Sequence, residues 1–171
     1  FFIELNEAWI PFNKCLISDN HILTEKDIEI GKIINLQNKT KVIKLEITKN
    51  RRVFTDRNLD YTLIEILDYD NINDFFPIKD IKYKEEEVFL LQLDHFRGKD
   101  ELAFSAGVGE ISEINDHDIE HNCLTGERSS GGPILLRHNL LVIGIHIGTL
   151  RKNDNKNCGV GTSIKSIIED S

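Results

Sequence analysis

Short runs of Ile, Val, Leu and Phe recur along this chain with turn-forming residues between them, and an apolar spacing of three to four residues is nearly missing. Such a pattern is typical of an all-β sandwich or barrel. We expect strands over residues 1–5, 14–18, 21–24, 32–36, 42–48, 61–67, 87–93, 102–109, 134–136, 141–147 and 159–163. Near the end, Ile164, Ile167 and Ile168 fall on one face of a short helix that begins after Thr162 or Ser163. The sequence therefore predicts an all-β body with a short C-terminal helix.

The stretch 68–87 differs from the rest because it contains few strand formers. It carries Pro77 and a charged run that ends at Glu87. We interpret it as the connection between two halves, residues 1–80 and residues 81–171. Each half is small for a stable core of its own, so we expect the two to pack into one structural unit.

Composition excludes several classes of function. The formal charge is −8 at pH 7, and the lysines are scattered among carboxylates, so nucleic acid is not an expected partner. The longest apolar runs, such as 140–147, have the length of a strand and fall short of the roughly 20 residues that a membrane span requires.

The cysteines Cys15, Cys123 and Cys158 are widely spaced and odd in number. This spacing fits neither a disulfide framework nor a zinc site with close-set ligand pairs. We expect no metal, no other cofactor and a reducing intracellular compartment such as the cytoplasm.

The segment Ser130-Gly131-Gly132-Pro133 stands between a polar stretch and an apolar strand. A serine nucleophile has to project from a tight turn that contains glycine, so that backbone N–H groups can point at the oxyanion that forms beside it. The same residue types also make ordinary surface turns. The residues around the segment therefore have to decide between a nucleophile and a turn.

Those surroundings resemble the trypsin-like serine peptidases. The segment 130–133 is similar to the nucleophile loop of that family, and 59–64 is similar to the strand that carries the triad aspartate, which would be Asp60. The resemblance spans nearly the whole chain in the correct order. It implies two packed six-stranded antiparallel β-barrels with a short C-terminal helix, and a protein or peptide as the partner.

Two further residues resemble the bacterial glutamyl endopeptidases. The stretch 143–148 contains Gly-Ile-His, and in those enzymes the histidine lies in the pocket for an acidic side chain; here it would be His146. Thr125 stands five residues before Ser130, where those enzymes place a pocket hydroxyl. The alternative interpretation of His146 is a buried core histidine with satisfied hydrogen bonds.

The resemblance fails where the catalytic histidine is expected, because the segment 22–28 presents Asp27 at that place. An aspartate near pKa 4 has little affinity for the serine proton. His21 lies six residues earlier, about 20 Å away if the chain is extended at roughly 3.3 Å per residue, so it is not expected to reach the same pocket. The remaining histidines outside the pocket motif are interpreted as surface or structural side chains: His95, His117, His121 and His138.

A second departure is Arg128, which stands where the family has a glycine whose N–H forms the oxyanion hole together with that of Ser130. Loss of one oxyanion donor costs on the order of 10²–10³ in rate. The leading hypothesis from the sequence is therefore an inactive homologue of these peptidases that acts as a binding or structural component. One alternative is an active serine endopeptidase that prefers an acidic residue before the cleaved bond; either Asp27 is then wrongly aligned with the histidine position or a partner supplies the base. The other alternative is an unrelated all-β interaction module in which residues 130–133 form a turn. The sequence leaves open whether the chain is a subunit of a larger assembly.

Overall fold

In the computed structural model of the chain, the structure describes residues 1–5, 11–37, 41–79, 84, 86–95, 102–151 and 157–171. The strands of the first half are β1 Phe2–Glu4, β2 Lys14–Ser18, β3 Ile33–Gln37, β4 Val42–Glu46, β5 Val53–Asp56, β6 Tyr61–Glu65 and β7 Phe76–Pro77. Those of the second half are β8 Glu87–His95, β9 Leu102–Ile114, β10 Asp118–His121, β11 Gly132–Leu136, β12 Val142–Arg151 and β13 Asn157–Ser163. The helix α1 spans Ile164–Asp170. The expectation of a mostly β chain with a short C-terminal helix is confirmed.

The second half closes into a six-stranded barrel with the strand order β10-β13-β12-β11-β8-β9. The interior is filled by buried aliphatic side chains, among them Val88, Leu90, Ile111, Ile134 and Ile143. Alternation along antiparallel strands places these side chains inward and the polar ones outward. One of the two expected barrels is therefore present.

The first half differs from the expected second barrel. It consists of a five-stranded sheet in the order β5-β6-β2-β1-β7 and a separate β3–β4 hairpin. Leu45 and Ile47 pack with Leu16 and Ile64, so the hairpin covers one face of the sheet without joining its hydrogen-bonded order. In the described part of this half, packing of side chains takes the place of the strand pairing that would close a barrel.

A third buried cluster joins the two halves. It contains Ile17 and Leu63 from the first sheet, Val142 and Ile145 from the barrel, and Ile164 from α1. Because this cluster takes side chains from both halves, neither half would complete it alone. Burial of each such side chain stabilises the fold by roughly 1.5–3 kcal/mol. The expected boundary between residues 80 and 81 lies outside the described residues.

The helix α1 begins at the expected cap. The Ser163 hydroxyl accepts the N–H of Ser166 at 3.1 Å, the bond that an N-cap serine provides. At its other end, the Tyr61 hydroxyl donates to Asp170 at 2.7 Å and fixes the helix to β6. No helix in the described part of the chain has the length and apolar character needed to cross a bilayer.

Candidate active site

His21 and Asp60 form a hydrogen-bonded pair at the surface between the two halves. Oδ2 of Asp60 lies 2.6 Å from Nδ1 of His21, and Oδ1 accepts the backbone N–H of His21 at 2.9 Å. Because both carboxylate oxygens contact the same residue, the imidazole is oriented with Nε2 pointing away from Asp60. The side chain of His21 is 48% exposed. An imidazole that a carboxylate holds through one nitrogen, with the second nitrogen turned away from that carboxylate, is the arrangement that a general base requires.

The pairing of β2 with β6 brings the two residues together. These strands are antiparallel, and Ser18 at the end of β2 lies opposite Thr62 in β6. Asp60 directly precedes β6 and His21 follows β2, so the register places both at the same end of the sheet. Asp60 has a φ of 50°, a left-handed conformation that aspartate tolerates better than most residues.

A tight turn replaces the strand expected over residues 21–24. The N–H groups of Ile22 and Leu23 both donate to the carbonyl of Asp19, at 3.2 and 3.0 Å. The chain therefore reverses immediately after β2, and His21 lies within that turn. The exclusion of His21 on the basis of distance is wrong, because it rests on an extended chain.

Asp27 has a different environment from the one expected at a histidine position facing Asp60. Its Oδ2 accepts the N–H and the hydroxyl of Thr24, at 3.0 and 2.6 Å, and its side chain is exposed. These hydrogen bonds lower the pKa of Asp27. Asp27 thus closes a local turn, and the imidazole that meets Asp60 comes from His21.

Asp19 is a third titratable side chain beside His21 and Asp60, and it was not predicted from the sequence. It is 0% exposed, and its Oδ2 lies 3.9 Å from Nε2 of His21. Neither carboxylate oxygen has a hydrogen-bond partner among the described residues. Burial and, secondarily, the charge of Asp60 raise the pKa of Asp19 to about 8. A lone aspartate between a strand and a turn is typical of a turn former, so only its spacing of two residues from His21 pointed to the site.

The Ser130 loop packs against the turn that carries His21. Gly131 has a φ of 77°, which glycine adopts without steric cost. A Cβ added to Gly131 would lie 3.5 Å from Cδ1 of Ile22 and 3.8 Å from Oγ of Ser18. His21 and Ser130 line one cavity. The expected nucleophile and the imidazole therefore meet at the same opening.

The Ser130 hydroxyl itself is weakly held. Its closest hydrogen-bond acceptor in the described chain is the carbonyl of Ile147, at 3.5 Å, which is at the outer limit for such a bond. Hydrogen bonds between catalytic groups are often long in ligand-free enzymes and shorten when substrate binds. Rotation about χ1 would release Oγ from Ile147.

Backbone donors in this loop divide into two groups. The N–H groups of Ser129, Gly131 and Gly132 donate to backbone carbonyls at 2.9–3.3 Å. Within the described residues, the N–H groups of Arg128 and Ser130 have no such acceptor. Arg128 does not belong to the described non-glycine residues with positive φ, so its Cβ imposes no backbone strain. The two residues expected at the oxyanion hole are thus the two whose donors remain available.

Two cavities adjoin Ser130, and both are largely apolar. The first has a volume of about 500 Å³ and is lined by Phe1, Phe76, Leu91 and Phe104 among others. The second, of about 630 Å³, contains His21 together with aliphatic side chains of β2, β3 and the turn after β2. Concave apolar surface next to polar groups is typical of a binding site for peptide side chains.

His146 lies in a buried pair with His121. The two are 0% exposed, and Nε2 of His121 is 3.0 Å from Nδ1 of His146. The N–H of Cys123 donates to Nδ1 of His121 at 3.3 Å, so that nitrogen is an acceptor and the proton of His121 is on Nε2. Nδ1 of His146 accepts it, which leaves an N–H at Nε2 of His146, and this atom has no partner in the described chain. The alternative interpretation, a buried core histidine with satisfied hydrogen bonds, therefore holds for Nδ1 of His146 but not for Nε2.

Burial lowers the pKa of His121 and of His146 to about 4, and repulsion between the two rings adds to the effect at His121. The close approach of β13 depends on Gly159, because a Cβ there would overlap the ring of His121. Thr125 is half-buried, and neither Thr125 nor His146 lines the two cavities at Ser130.

No family model and no curated protein matches the chain. Solved structures do. A catalytically inactive tobacco etch virus protease complexed with substrate matches with a TM-score of 0.62 and 17% identity, over 94% of this chain and 72% of that one. The serine protease domain of the Sesbania mosaic virus polyprotein matches with a TM-score of 0.60 and 17% identity, over 91% and 79%. The HtrA-type protease AlgW with a tripeptide matches with a TM-score of 0.64 and 13% identity, over 91% and 50%. The chain therefore has the fold of the chymotrypsin-like proteases.

Proposed function

We propose that the chain is a serine endopeptidase in which Ser130 is the nucleophile, His21 the general base and Asp60 the residue that orients the base. The observation that carries this proposal is the bidentate contact of Asp60 with His21, in a cavity that Ser130 also lines. The proposal takes up the active alternative from the sequence. The inactive interpretation depended mainly on Asp27, whose described hydrogen bonds are with Thr24.

In this mechanism, Nε2 of His21 takes the hydroxyl proton as Oγ of Ser130 attacks the scissile carbonyl carbon. The negative oxygen that results is held by the N–H groups of Arg128 and Ser130. His21 then passes the proton to the leaving amine, and the acyl-serine is released by water that His21 deprotonates in turn. Asp60 stabilises the imidazolium through its contact with Nδ1 of His21.

Arg128 is compatible with this scheme because the oxyanion donor is a backbone N–H and not a side chain. Its side chain is exposed, and it lines both cavities. A guanidinium at that position adds positive charge close to the developing oxyanion. The substitution of glycine by arginine therefore does not by itself remove the donor.

Labelling by a fluorophosphonate probe tests the nucleophile. We expect one equivalent of probe per folded chain at Ser130, and no labelling of Ser130→Ala. The adjacent Ser129→Ala variant is the matched control and should still react, because the Ser129 hydroxyl is buried and donates to the carbonyl of Gly126 at 2.9 Å. Intact-protein mass spectrometry measures the stoichiometry. A folded wild-type chain that does not react would contradict the proposed nucleophile and support the inactive homologue that the sequence favoured.

We further propose a preference for an acidic residue before the cleaved bond, with His146 and Thr125 in the pocket. The supporting observation is the unpartnered Nε2 of His146, which carries a proton in the tautomer set by Cys123 and His121. Along β12, a Cβ added at Gly148 would meet no atom within 4 Å, so there is open space beside this strand. Since His146 is buried in the ligand-free chain, this proposal requires that substrate binding exposes Nε2 of His146.

Paired peptides that differ only in Glu or Gln before the cleaved bond test this preference. A buried N–H that finds a carboxylate should favour Glu by about 10–100-fold in kcat/KM, the range of one charge-assisted hydrogen bond. His146→Leu should reduce the ratio to near one, whereas His138→Leu at an exposed site should keep it. Equal cleavage of both peptides by the wild type would contradict the acidic preference and leave the nucleophile assignment standing.

A further inference from the structure

Asp19 adds a second carboxylate to the His21–Asp60 pair and has no role in the proposed triad. One ligand atom from each of these three residues lies within 4.8 Å of the others. Asp19 is fully buried, and neither carboxylate oxygen has a partner at hydrogen-bonding distance among the described residues, although the N–H of Gly131 and the α-ammonium of Phe1 favour its charged form. A buried carboxylate without partners is costly. A cation bound at this side chain would displace its proton and supply a direct partner for the carboxylate.

The distance between Nε2 of His21 and Oδ2 of Asp19 is suitable for a metal ion that binds both atoms. Nδ1 is taken by Asp60, so Nε2 is the nitrogen that can bind a metal, and Oδ2 of Asp19 lies 3.9 Å from it. Zinc bonds of about 2.0–2.1 Å to nitrogen and about 2.0–2.2 Å to oxygen would span this gap at a wide angle. A shift of roughly half an ångström would bring the two ligands to tetrahedral spacing.

Asp60 already occupies the position of an outer-shell residue. Histidines that bind metals usually donate their other ring N–H to a carboxylate, which fixes the tautomer and makes the ligating nitrogen more basic. The contact of Asp60 with Nδ1 of His21 at 2.6 Å has this form. The half-exposed imidazole leaves room for water at the remaining positions of the metal.

From this geometry we propose that Asp19 and Nε2 of His21 form an inhibitory Zn²⁺ site inside the candidate active site, with Asp60 as its outer-shell carboxylate. One nitrogen and one or more carboxylate oxygens suit zinc better than calcium or magnesium, which take oxygen ligands almost exclusively. Zinc on Nε2 would occupy the lone pair that has to accept the Ser130 proton. This differs from the sequence-based expectation of no metal.

The binding part of this inference does not depend on the proposed function, whereas the inhibition does. Binding is therefore measured first, by calorimetry with Zn²⁺ and by the visible spectrum of the Co²⁺-loaded protein. We expect one site in the wild type and in Ser130→Ala. Affinity for Zn²⁺ should fall at least tenfold in Asp19→Asn and in His21→Gln, and should be unchanged in Asp27→Asn, an exposed carboxylate of the same segment. His21→Gln serves if Asp19→Asn does not fold.

The Co²⁺ spectrum separates this site from the buried thiols Cys15, Cys123 and Cys158. Nitrogen and oxygen ligation should give ligand-field bands without thiolate-to-metal charge transfer. Equal Zn²⁺ affinity in the wild type and His21→Gln, or a thiolate charge-transfer band, would overturn the site.

Inhibition is measured as the Zn²⁺ concentration that halves fluorophosphonate labelling, relative to the same protein with chelator. Asp19→Asn should require at least tenfold more Zn²⁺ than the wild type. Binding without any effect on labelling would overturn the inhibitory role alone. Absence of labelling at every Zn²⁺ concentration would contradict the proposed function and leave the binding result intact.

Discussion

Replacing His21 with alanine is expected to lower kcat/KM for peptide cleavage by about 10⁴-fold or more, to a level close to that of Ser130→Ala. Removal of either member takes away the same proton transfer, so the double variant should be little worse than each single one. Asp27→Asn, by contrast, should stay within about twofold of the wild type, because an exposed amide can still accept the Thr24 hydrogen bonds. Initial rates of cleavage of an internally quenched peptide are measured for the wild type and the four variants.

The contrast between His21 and Asp27 tests which of the two residues stands at the place of the catalytic histidine. Because His21 is half exposed, its alanine variant should unfold at nearly the wild-type temperature, so a loss of rate cannot be attributed to loss of fold. Full activity in His21→Ala, together with loss in Asp27→Asn, would contradict the triad proposed above. It would mean that Asp27, which the sequence places at the histidine position as an unsuitable base, takes part in catalysis.

The contacts of Asp60 explain how the imidazole of His21 is positioned. Its two oxygens contact the backbone N–H and Nδ1 of His21, so it determines both the place and the tautomer of the imidazole. Ser130 and Asp60 were proposed from the sequence because the segments that carry them resemble those of the trypsin-like peptidases. His21 could not be identified in this way, since its position depends on a turn made by two N–H groups that share the carbonyl of Asp19.

Long-range geometry also explains what else the sequence did not predict. The barrel of the second half follows from alternating strands, and α1 follows from its serine cap and its isoleucines. The open first half does not, because the β3–β4 hairpin covers the sheet through side chains such as Leu45 and Ile47 without strand pairing. Periodicity predicts that a strand exists but not which edge it joins.

The burial of polar side chains is the other property that could not be predicted from the sequence. Asp19 in a polar run has the local sequence of an exposed turn, yet it is completely buried, and the groups that act on its charge include Asp60 and the N–H of Gly131 in the Ser130 loop. His121 was expected to be a surface or structural side chain, and it proves to be the buried partner of His146. In both cases a residue contributed by a distant strand or loop decides the environment.

The buried histidine pair is expected to make the fold sensitive to acid. Burial lowers the pKa of His121 and His146 to about 4 in the folded chain, whereas histidines in the unfolded chain titrate near 6.5. As the pH falls from about 6.5 to about 4, the unfolded state therefore binds protons that the folded state does not, and the free energy of unfolding decreases. Above about 6.5 the pair has no effect on the pH dependence.

The pKa of each histidine falls from 6.5 to about 4 on folding. At 1.36 kcal/mol for each unit of pKa, this corresponds to a loss of about 3 kcal/mol in the free energy of unfolding for each histidine when the pH is lowered. Urea unfolding at pH 7, 5.5 and 4 measures the loss, and the difference between proteins isolates the pair from other groups. In His121→Asn, whose amide oxygen can still accept the Cys123 N–H, the loss between pH 7 and 4 should be smaller than in the wild type by about 3 kcal/mol. His138→Asn removes an exposed imidazole and should follow the wild-type curve. Parallel curves for the wild type and His121→Asn would mean that His121 takes up its proton over the same pH range in the folded and the unfolded chain, which would contradict the lowering of its pKa by burial.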